Sequence, residues 1–192
     1  MPLDRDFAAP VIYIKELLDD LDLMRIRQVL QYDNCDSLSI ADANSYLYSI
    51  FDRHFFQIRK SDDYPALLQE MAQQIEESGY GGEHYAQYVM ERESYMSTIY
   101  MNGVCIPHPI EICANRNLIS VCILEEPICY EDKQASIIFM VSLTKEDYEV
   151  HKDITKKLYQ LMNDEKRLQR VLRNRTLEEL LIVMKELDGG TL

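Results

Sequence analysis

The sequence predicts a fold of the α/β or α+β class, in which helices alternate with β-strands. Residues 119–123 alternate apolar with small polar side chains, which is the period-two pattern of a strand. Residues 135–143 form a nearly continuous apolar run, which is typical of a strand covered on both faces. Apolar side chains recur at helical spacing over residues 67–75. Helices in such an arrangement pack against a sheet, and this packing forms the core.

The N-terminal part of the chain is expected to be helical and to carry no chemistry. Apolar residues recur at helical spacing between about residues 10 and 56, with Ser39 as a candidate N-cap. The polar stretch 59–65 breaks this pattern and marks the start of the main domain. We interpret the lead-in as a packing or spacer segment. A linker from an upstream domain and a dimerisation element remain open alternatives.

The next helical segment, residues 83–97, carries a cation on its apolar face. The apolar residues of that face are Tyr85, Val89 and Met96. Arg92 falls in the middle of the same face, where its stem can pack while its charged end reaches water. One interpretation is a structural ion pair with Glu91 or Glu93. The other is an anion pocket, because a guanidinium binds phosphate oxygens bidentately.

A histidine held between two prolines is the candidate for the working group. Residues 101–109 form a strand-like run that contains His108 between Pro107 and Pro109. Proline fixes its own φ and favours an extended conformation in the residue before it, so His108 has little backbone freedom at a strand end. A nucleophile needs such a fixed ring, although a hydrogen-bonded structural histidine gives the same pattern.

A second histidine begins a later helix, after a turn expected at residues 127–132. His151 shares one helical face with Leu158 and Met162, which lie seven and eleven residues further on. His151 is therefore either a second site residue or a helix-terminal histidine bonded to its neighbours. Sequence spacing alone does not bring it together with Arg92 and His108.

The C-terminal helices carry a basic run and a capping signal. Lys156, Lys157 and the basic residues of 166–175 are expected to decorate a solvated helix face. Thr176 followed by Glu179 is a capping box that opens a final helix, which residues 189–190, both glycine, are expected to end.

The overall composition limits the classes of partner and of compartment. The 20 basic and 33 acidic residues give a net charge of −13, which argues against direct nucleic-acid contact. No apolar run is long enough for a membrane span or a signal peptide, so we expect a cytoplasmic chain without membrane contact. The cysteines lack paired spacing and are expected to be free thiols rather than disulfide partners or zinc ligands: Cys35, Cys105, Cys113, Cys122 and Cys129.

Several of these residues together resemble the type-2 (fructose/mannitol class) enzyme IIA domains of the bacterial phosphoenolpyruvate-dependent sugar phosphotransferase system. The matching elements follow the family's order: Arg92-Glu93, Ser97-Thr98, Ile106-Pro107-His108 and His151. The resemblance begins at about Phe51 and divides the chain into a helical lead-in, 1–50, and an enzyme IIA-like domain, 51–190. It implies an α/β fold with a mixed β-sheet flanked by helices on both faces.

The resemblance also implies a role for each matching residue. His108 is the position that accepts a phosphoryl group from the phosphocarrier protein HPr. Arg92 and His151 match residues that line the phosphorylation site, with Arg92 binding phosphate and His151 hydrogen-bonding the phosphoryl group. Ser97 and Thr98 are candidate site-lining residues. Such a relay requires no metal and no organic cofactor.

Two positions depart from the usual transport pattern. Cys105 stands where alanine is frequent, and Pro109 where glycine is frequent. With the lead-in, they make the chain similar to the C-terminal enzyme IIA-like domain of BglG-type transcriptional regulators. We therefore expect a phosphoryl-accepting regulatory domain, as a fragment or remnant of a larger regulator. A carrier that passes the group to an enzyme IIB, and an unphosphorylated interaction or homodimerisation module, are the alternatives.

Overall fold

The computed structural model describes residues 49–146 and 148–187, including the backbone but not the side chains of 148–150. The expected lead-in helices and the N-cap at Ser39 lie outside the described residues. The elements are, in chain order, β1 (Phe51–Arg59), α1 (Tyr64–Glu77), α2 (Tyr85–Tyr95), a 3-10 turn (Met101–Gly103), β2 (Val104–Cys105), β3 (Leu118–Tyr130), β4 (Lys133–Ser142), α3 (Tyr148–Asn163), α4 (Glu165–Asn174) and α5 (Leu177–Glu186).

The four strands form one mixed sheet, as expected. Their order is β1-β3-β4-β2, with β1 parallel to β3 and β2 parallel to β4, while β3 and β4 form an antiparallel hairpin. β1 and β2 are therefore the edge strands, and the long hairpin is the centre of the sheet. Residues 118–124 of β3 are all buried, so this strand is covered on both faces.

Helices cover both faces of this sheet. Cys122 and Ile138 are cross-strand partners and belong to one core cluster with the buried side chains of α1 and α2. Side chains alternate across a strand, so Ile119 and its partner Val141 face the opposite side. Val141 lines a cavity together with side chains of α3, which places α3 on that second face.

The expected helix at residues 51–56 was wrong, because this stretch begins β1. Phe51 and Phe55 are buried at 1% and 6% exposure, and β1 pairs with β3 from Phe51 to Arg59. Two apolar residues four apart lie on the same face of a helix and also of a strand. Local spacing therefore could not distinguish a helix from a strand here, whereas the pairing with β3 shows that the stretch is a strand.

Two further predictions, one of a turn and one of a strand, also needed correction. The turn expected at 127–132 contains only Glu131 and Asp132, because β3 continues through Pro127, which lies within an irregularity in its pairing with β4. The strand expected at 101–109 is shorter than predicted, since residues 101–103 form the 3-10 turn and only Val104–Cys105 is strand.

The predicted solvated face is confirmed for Lys156, Lys166 and Arg173, which are exposed, but not for the other basic residues of the predicted run. Lys157 is 4% exposed, and its Nζ donates to the Met184 carbonyl at 3.4 Å. Arg170 lies between Glu179 and Glu186 and pairs with both. Arg167 also pairs with Glu186, so these two arginines neutralise carboxylates of α5 and join α4 to α5.

The cap of α5 is confirmed, since the Thr176 hydroxyl accepts the Glu179 N–H at 3.2 Å. The predicted end of this helix at residues 189–190 lies outside the described residues. No helix in residues 49–146 and 148–187 is both long and apolar enough to cross a membrane.

Candidate functional site

The sheet topology brings the two histidines to one edge of the sheet. β2 and β4 are parallel neighbours, so their C-terminal ends lie at the same edge. His108 lies three residues after the end of β2, and His151 lies in the first turn of α3, which follows β4. This long-range pairing supplies the proximity that sequence spacing could not establish.

A small hairpin holds the chain segment that leads into His108. The Tyr100 N–H donates to the Val104 carbonyl at 2.8 Å, and the Ile106 N–H donates to the Thr98 carbonyl at 3.1 Å. Gly103 closes the turn with a φ of +75°, and a Cβ there would lie 2.6 Å from the Ser136 hydroxyl oxygen. Glycine alone meets both constraints without strain.

The other side of the same segment is attached to β4. The Val141 N–H donates to the Pro107 carbonyl at 2.9 Å, so the strand-like pairing continues to the residue before His108. Pro107 is buried, whereas His108 and Pro109 are half-buried. The predicted restriction of the histidine by its neighbours is therefore reinforced by a hydrogen bond to the central hairpin.

The His108 ring has a defined hydrogen-bond partner. Its Nδ1 lies 2.9 Å from the Ile106 carbonyl oxygen, which can only accept. Nδ1 must therefore carry the proton and donate it to this oxygen. In the neutral ring the lone pair is then on Nε2, which is the nucleophilic nitrogen.

The His151 ring is held through its other nitrogen. Its Nε2 lies 2.7 Å from the Thr144 carbonyl oxygen and donates to it by the same reasoning. The two rings are therefore fixed through opposite nitrogens. Each is oriented by a backbone carbonyl, so neither depends on a mobile side chain for its direction.

Both histidines line one cavity of about 530 Å³. Its walls are mainly apolar, and four large side chains of the lining are 40–61% exposed, so the cavity opens to solvent: Tyr100, Ile110, Ile112 and Tyr159. Within the described part of the chain, no lysine or arginine lines it. Thr155, one helical turn after His151, adds a hydroxyl to the lining, which the sequence analysis did not identify although its spacing could have revealed it.

Arg92 lies on α2, outside the lining of the cavity. Its Nη1 donates to the Met96 carbonyl at 2.9 Å. The predicted apolar face through Met96 was wrong, because α2 ends at Tyr95 and the Met96 side chain is 62% exposed. The Ile110 N–H donates to the Tyr88 carbonyl, so the chain just after His108 runs beside α2 one turn before Arg92. Phosphate binding by Arg92 stays a prediction.

Ser97 and Thr98 are buried beside the site and do not line the cavity. The Ser97 hydroxyl accepts the Ile99 N–H at 3.2 Å. The Thr98 hydroxyl donates to the Glu93 carboxylate at 2.5 Å. From its position in the sequence, Glu93 was expected only as an ion-pair partner of Arg92. Its spacing of four from Val89 on the buried face was the signal that it points inward.

Among residues 49–146 and 148–187, no group of three or more histidine, cysteine or acidic side chains could hold a metal ion. The prediction that the chain needs no metal or cofactor remains a prediction. Of its cysteines, Cys105 and Cys122 are buried free thiols, and burial raises the pKa of each to about 12.

Comparison with known proteins gives a family match over most of the chain. Residues 49–187 match the family model described as "Phosphoenolpyruvate-dependent sugar phosphotransferase system, EIIA 2". The "Probable licABCH operon regulator" of Bacillus subtilis (strain 168) is 24% identical over 182 residues, which are 94% of this chain and 27% of that protein. The "Transcriptional regulator ManR" of the same organism is 27% identical over 92 residues, 48% of this chain and 14% of that protein.

The chain thus spans about a quarter of the first of these relatives and less of the second. Among solved structures, one chain of the Escherichia coli complex between enzyme IIAMTL and phosphorylated enzyme IIBMTL superposes with a TM-score of 0.59. The match is 16% identical and covers 70% of this chain and 98% of that chain. This likeness shows the fold, and it confirms the expected α/β architecture.

Proposed function

The chain belongs to the EIIA type-2 family of the phosphoenolpyruvate-dependent sugar phosphotransferase system, and from this we propose that it is a phosphoryl-accepting regulatory domain phosphorylated on His108 by HPr. The observation that carries the proposal is the arrangement of the two histidines. His108 and His151 line one open cavity, and the bond from His108 Nδ1 leaves Nε2 as the nucleophile.

In the proposed reaction, the His108 Nε2 lone pair forms a bond to the phosphorus of phosphorylated HPr. The phosphorus–nitrogen bond in HPr breaks, and its electron pair returns to the histidine of HPr. The proton on His108 Nδ1 stays in place, where the Ile106 carbonyl stabilises the positive charge that develops on the ring. Positioning and charge neutralisation are the main requirements of such a transfer.

Thr155, Arg92 and His151 would hold the transferred group. Because the His151 Nε2 proton is donated to the Thr144 carbonyl, His151 would have to carry a second proton on Nδ1 to donate to a phosphoryl oxygen. His151 and Thr155 lie one turn apart on α3, and both line the cavity beside His108. Arg92 would have to exchange its bond to the Met96 carbonyl for one to a phosphoryl oxygen. That exchange is plausible in energy, because a charge-assisted bond to phosphate is stronger than a bond to a neutral carbonyl. Ser97 and Thr98 are buried and would stabilise the backbone beside the site rather than contact the phosphoryl group.

The regulatory reading rests on the extent of one similarity. The match to the operon regulator covers 94% of this chain, so it extends beyond the family match and into the N-terminal lead-in. We propose a lead-in over residues 1–50 and an enzyme IIA-like domain over 51–190, in a cytoplasmic regulator. Phosphorylation adds about 1.5 to 2 negative charges, which would bias the contacts of this domain with the rest of the regulator.

Transfer to an enzyme IIB is the second candidate function. It is favoured by the solved complex, in which an enzyme IIA is bound to a phosphorylated enzyme IIB. Rapid loss of the phosphoryl group from this chain to a cognate enzyme IIB would support that carrier role. Unchanged operon control by sugar supply in cells carrying His108→Ala would count against the regulatory role.

The first experiment is phosphorylation of the purified full chain by phosphoenolpyruvate, enzyme I and HPr. Intact mass should show one acid-labile phosphoryl group, and His108→Ala should abolish it. His54→Ala is the matched control, because His54 is a strongly exposed histidine on β1 whose ring pairs with Asp52. Loss of labelling in both variants, or no labelling of the folded wild type, would contradict the proposal and favour an unphosphorylated interaction module.

A further inference from the structure

Glu93 is a buried acidic residue that the proposed transfer reaction does not use directly. It lies in the last turn of α2, and only 7% of its surface is exposed to solvent. Burying a carboxyl group is costly unless hydrogen bonds compensate for the lost water. The presence of such a buried group therefore requires an explanation.

Among the described residues, one residue donates all of the hydrogen bonds that Glu93 accepts. The Thr98 N–H lies 2.9 and 3.1 Å from the two carboxylate oxygens, and the Thr98 hydroxyl donates at 2.5 Å. Thr98 is fully buried, so neither of its donors has water as an alternative. The carboxylate thus fixes both the backbone and the side chain of Thr98.

Thr98 in turn fixes the residue that orients His108. The Thr98 carbonyl accepts the Ile106 N–H at 3.1 Å, and the Ile106 carbonyl accepts the proton of His108 Nδ1 at 2.9 Å. Four residues therefore form a continuous path of hydrogen bonds from the end of α2 to the imidazole ring. A rotation of the peptide at Ile106 would remove the acceptor that keeps the proton on Nδ1.

The two titratable side chains buried beside Glu93 in the described part of the chain, Cys105 and Tyr64, are not cations. Cys105 is buried nearby, and burial first, then the neighbouring Glu93 carboxylate, raises its pKa to about 12. The pKa of Tyr64 is raised by burial and then by Cys105 and Glu93, so both groups stay neutral at physiological pH. Thr98 is therefore the residue on which the placement of the carboxylate depends.

We propose that Glu93 is a positioning residue for His108, acting through Thr98 and Ile106 to hold the ring with its lone pair on Nε2. This inference rests on the proposed phosphoryl acceptance by His108, but the ring geometry can be measured without any phosphorylation. Glu93 never touches the phosphoryl group. It sets the direction and the tautomer of the nucleophile that does.

A matched control is Glu76, which lies on α1 and binds the N-terminal end of α2. The Glu76 carboxylate accepts the Ala86 N–H at 2.8 Å and so also anchors α2 through a backbone donor. It has no hydrogen-bonded path to His108 among the described residues. Glu93→Ala and Glu76→Ala should therefore both lower stability, but only the first should disturb the histidine. Glu93→Gln is the conservative variant, because its amide can accept the Thr98 N–H and donate to the Thr98 hydroxyl.

The first measurement is the tautomer of His108 by NMR of the full chain labelled with nitrogen-15 in histidine. Wild type, Glu93→Gln and Glu76→Ala should show the proton on Nδ1, whereas Glu93→Ala should show a mixture of tautomers. Thr98→Val removes the hydroxyl donor and should give an intermediate mixture. It keeps the test decisive if Glu93→Ala does not fold. A His108 tautomer unchanged in folded Glu93→Ala, or in folded Thr98→Val when the first variant is unfolded, would overturn the proposal.

The second measurement is the rate of phosphorylation by phosphorylated HPr. Glu93→Ala should lower kcat on the order of ten- to a hundred-fold, because small misplacements of a reacting group have effects of this size. KM should stay the same, since Glu93 is buried and so presents no surface to HPr. Equal kcat values in Glu93→Ala and Glu76→Ala, per folded molecule, would refute the inference. Failure of wild type to accept the phosphoryl group would instead refute the proposed function, and the tautomer result would still stand.

Discussion

Replacing Leu158 by alanine measures how much unfolding free energy is lost when buried atoms are removed without creating an enclosed void. It lies on α3 and is 1% exposed, and its side chain forms part of the cavity wall that also includes His151. Leu68 on α1 is fully buried in the core cluster on the other face of the sheet and does not line the cavity. We compare Leu158→Ala with Leu68→Ala because the residue deleted is the same and only its surroundings differ.

The expected magnitudes follow from what replaces the lost atoms. Removing three carbons from a buried leucine forfeits about 2.4 kcal/mol of transfer free energy, at roughly 0.8 kcal/mol per methylene. At Leu158 the new space joins a cavity that opens to solvent, so we expect a cost of about 2–3 kcal/mol. At Leu68 the substitution also leaves an enclosed void, whose free-energy cost adds to the lost transfer free energy. We therefore expect Leu68→Ala to lower the unfolding free energy by about 3–5 kcal/mol.

The assay is urea-induced unfolding of both variants and the wild type, monitored by far-UV circular dichroism. The free energies are compared only if the slope of free energy against urea concentration is the same for all three proteins. The refuting result is a Leu158→Ala cost equal to or above that of Leu68→Ala. That outcome would mean that the cavity wall is packed as tightly as the core, and that the cavity is closed in solution. A binding-competent opening beside the two histidines would then need a conformational change.

Three further predictions test individual structural features. Gly103→Ala should cost about 2 kcal/mol or more in unfolding free energy, because an alanine at positive φ is strained and its Cβ meets Ser136; Ser136→Ala should recover only part of this loss. Asp164→Ala should cost about 1 kcal/mol as a lost N-cap. Hydrogen bonds from Arg167 lower the pKa of Asp164, so its stabilisation is complete above the unfolded pKa and the gap to wild type should close as pH falls below about 4. Finally, Cys105 and Cys122 should resist maleimide at neutral pH until guanidinium unfolds the chain, as read by intact mass.

Parts of the fold could be predicted because they depend on near neighbours in the chain. The Thr176 cap and the apolar stripe of α1 follow from side chains three or four residues apart. The central strand at 135–143 follows from its unbroken apolar run. β1 was mistaken for a helix because its buried phenylalanines satisfy both periods, and only its pairing with a strand more than sixty residues away resolves this.

The candidate site divides in the same way. The sequence by itself determined the candidates for the chemistry: a proline-flanked histidine in an extended segment, a second histidine on an inward helical face, and the motif order of the family. Only the tertiary structure decided that β2 and β4 run parallel, which brings His108 and His151 to one cavity. It also decided that Glu93, rather than Met96, continues the buried face of α2. The physical reason is that backbone preference acts over a few residues, whereas strand pairing and the burial of a carboxyl group depend on atoms supplied by distant parts of the chain.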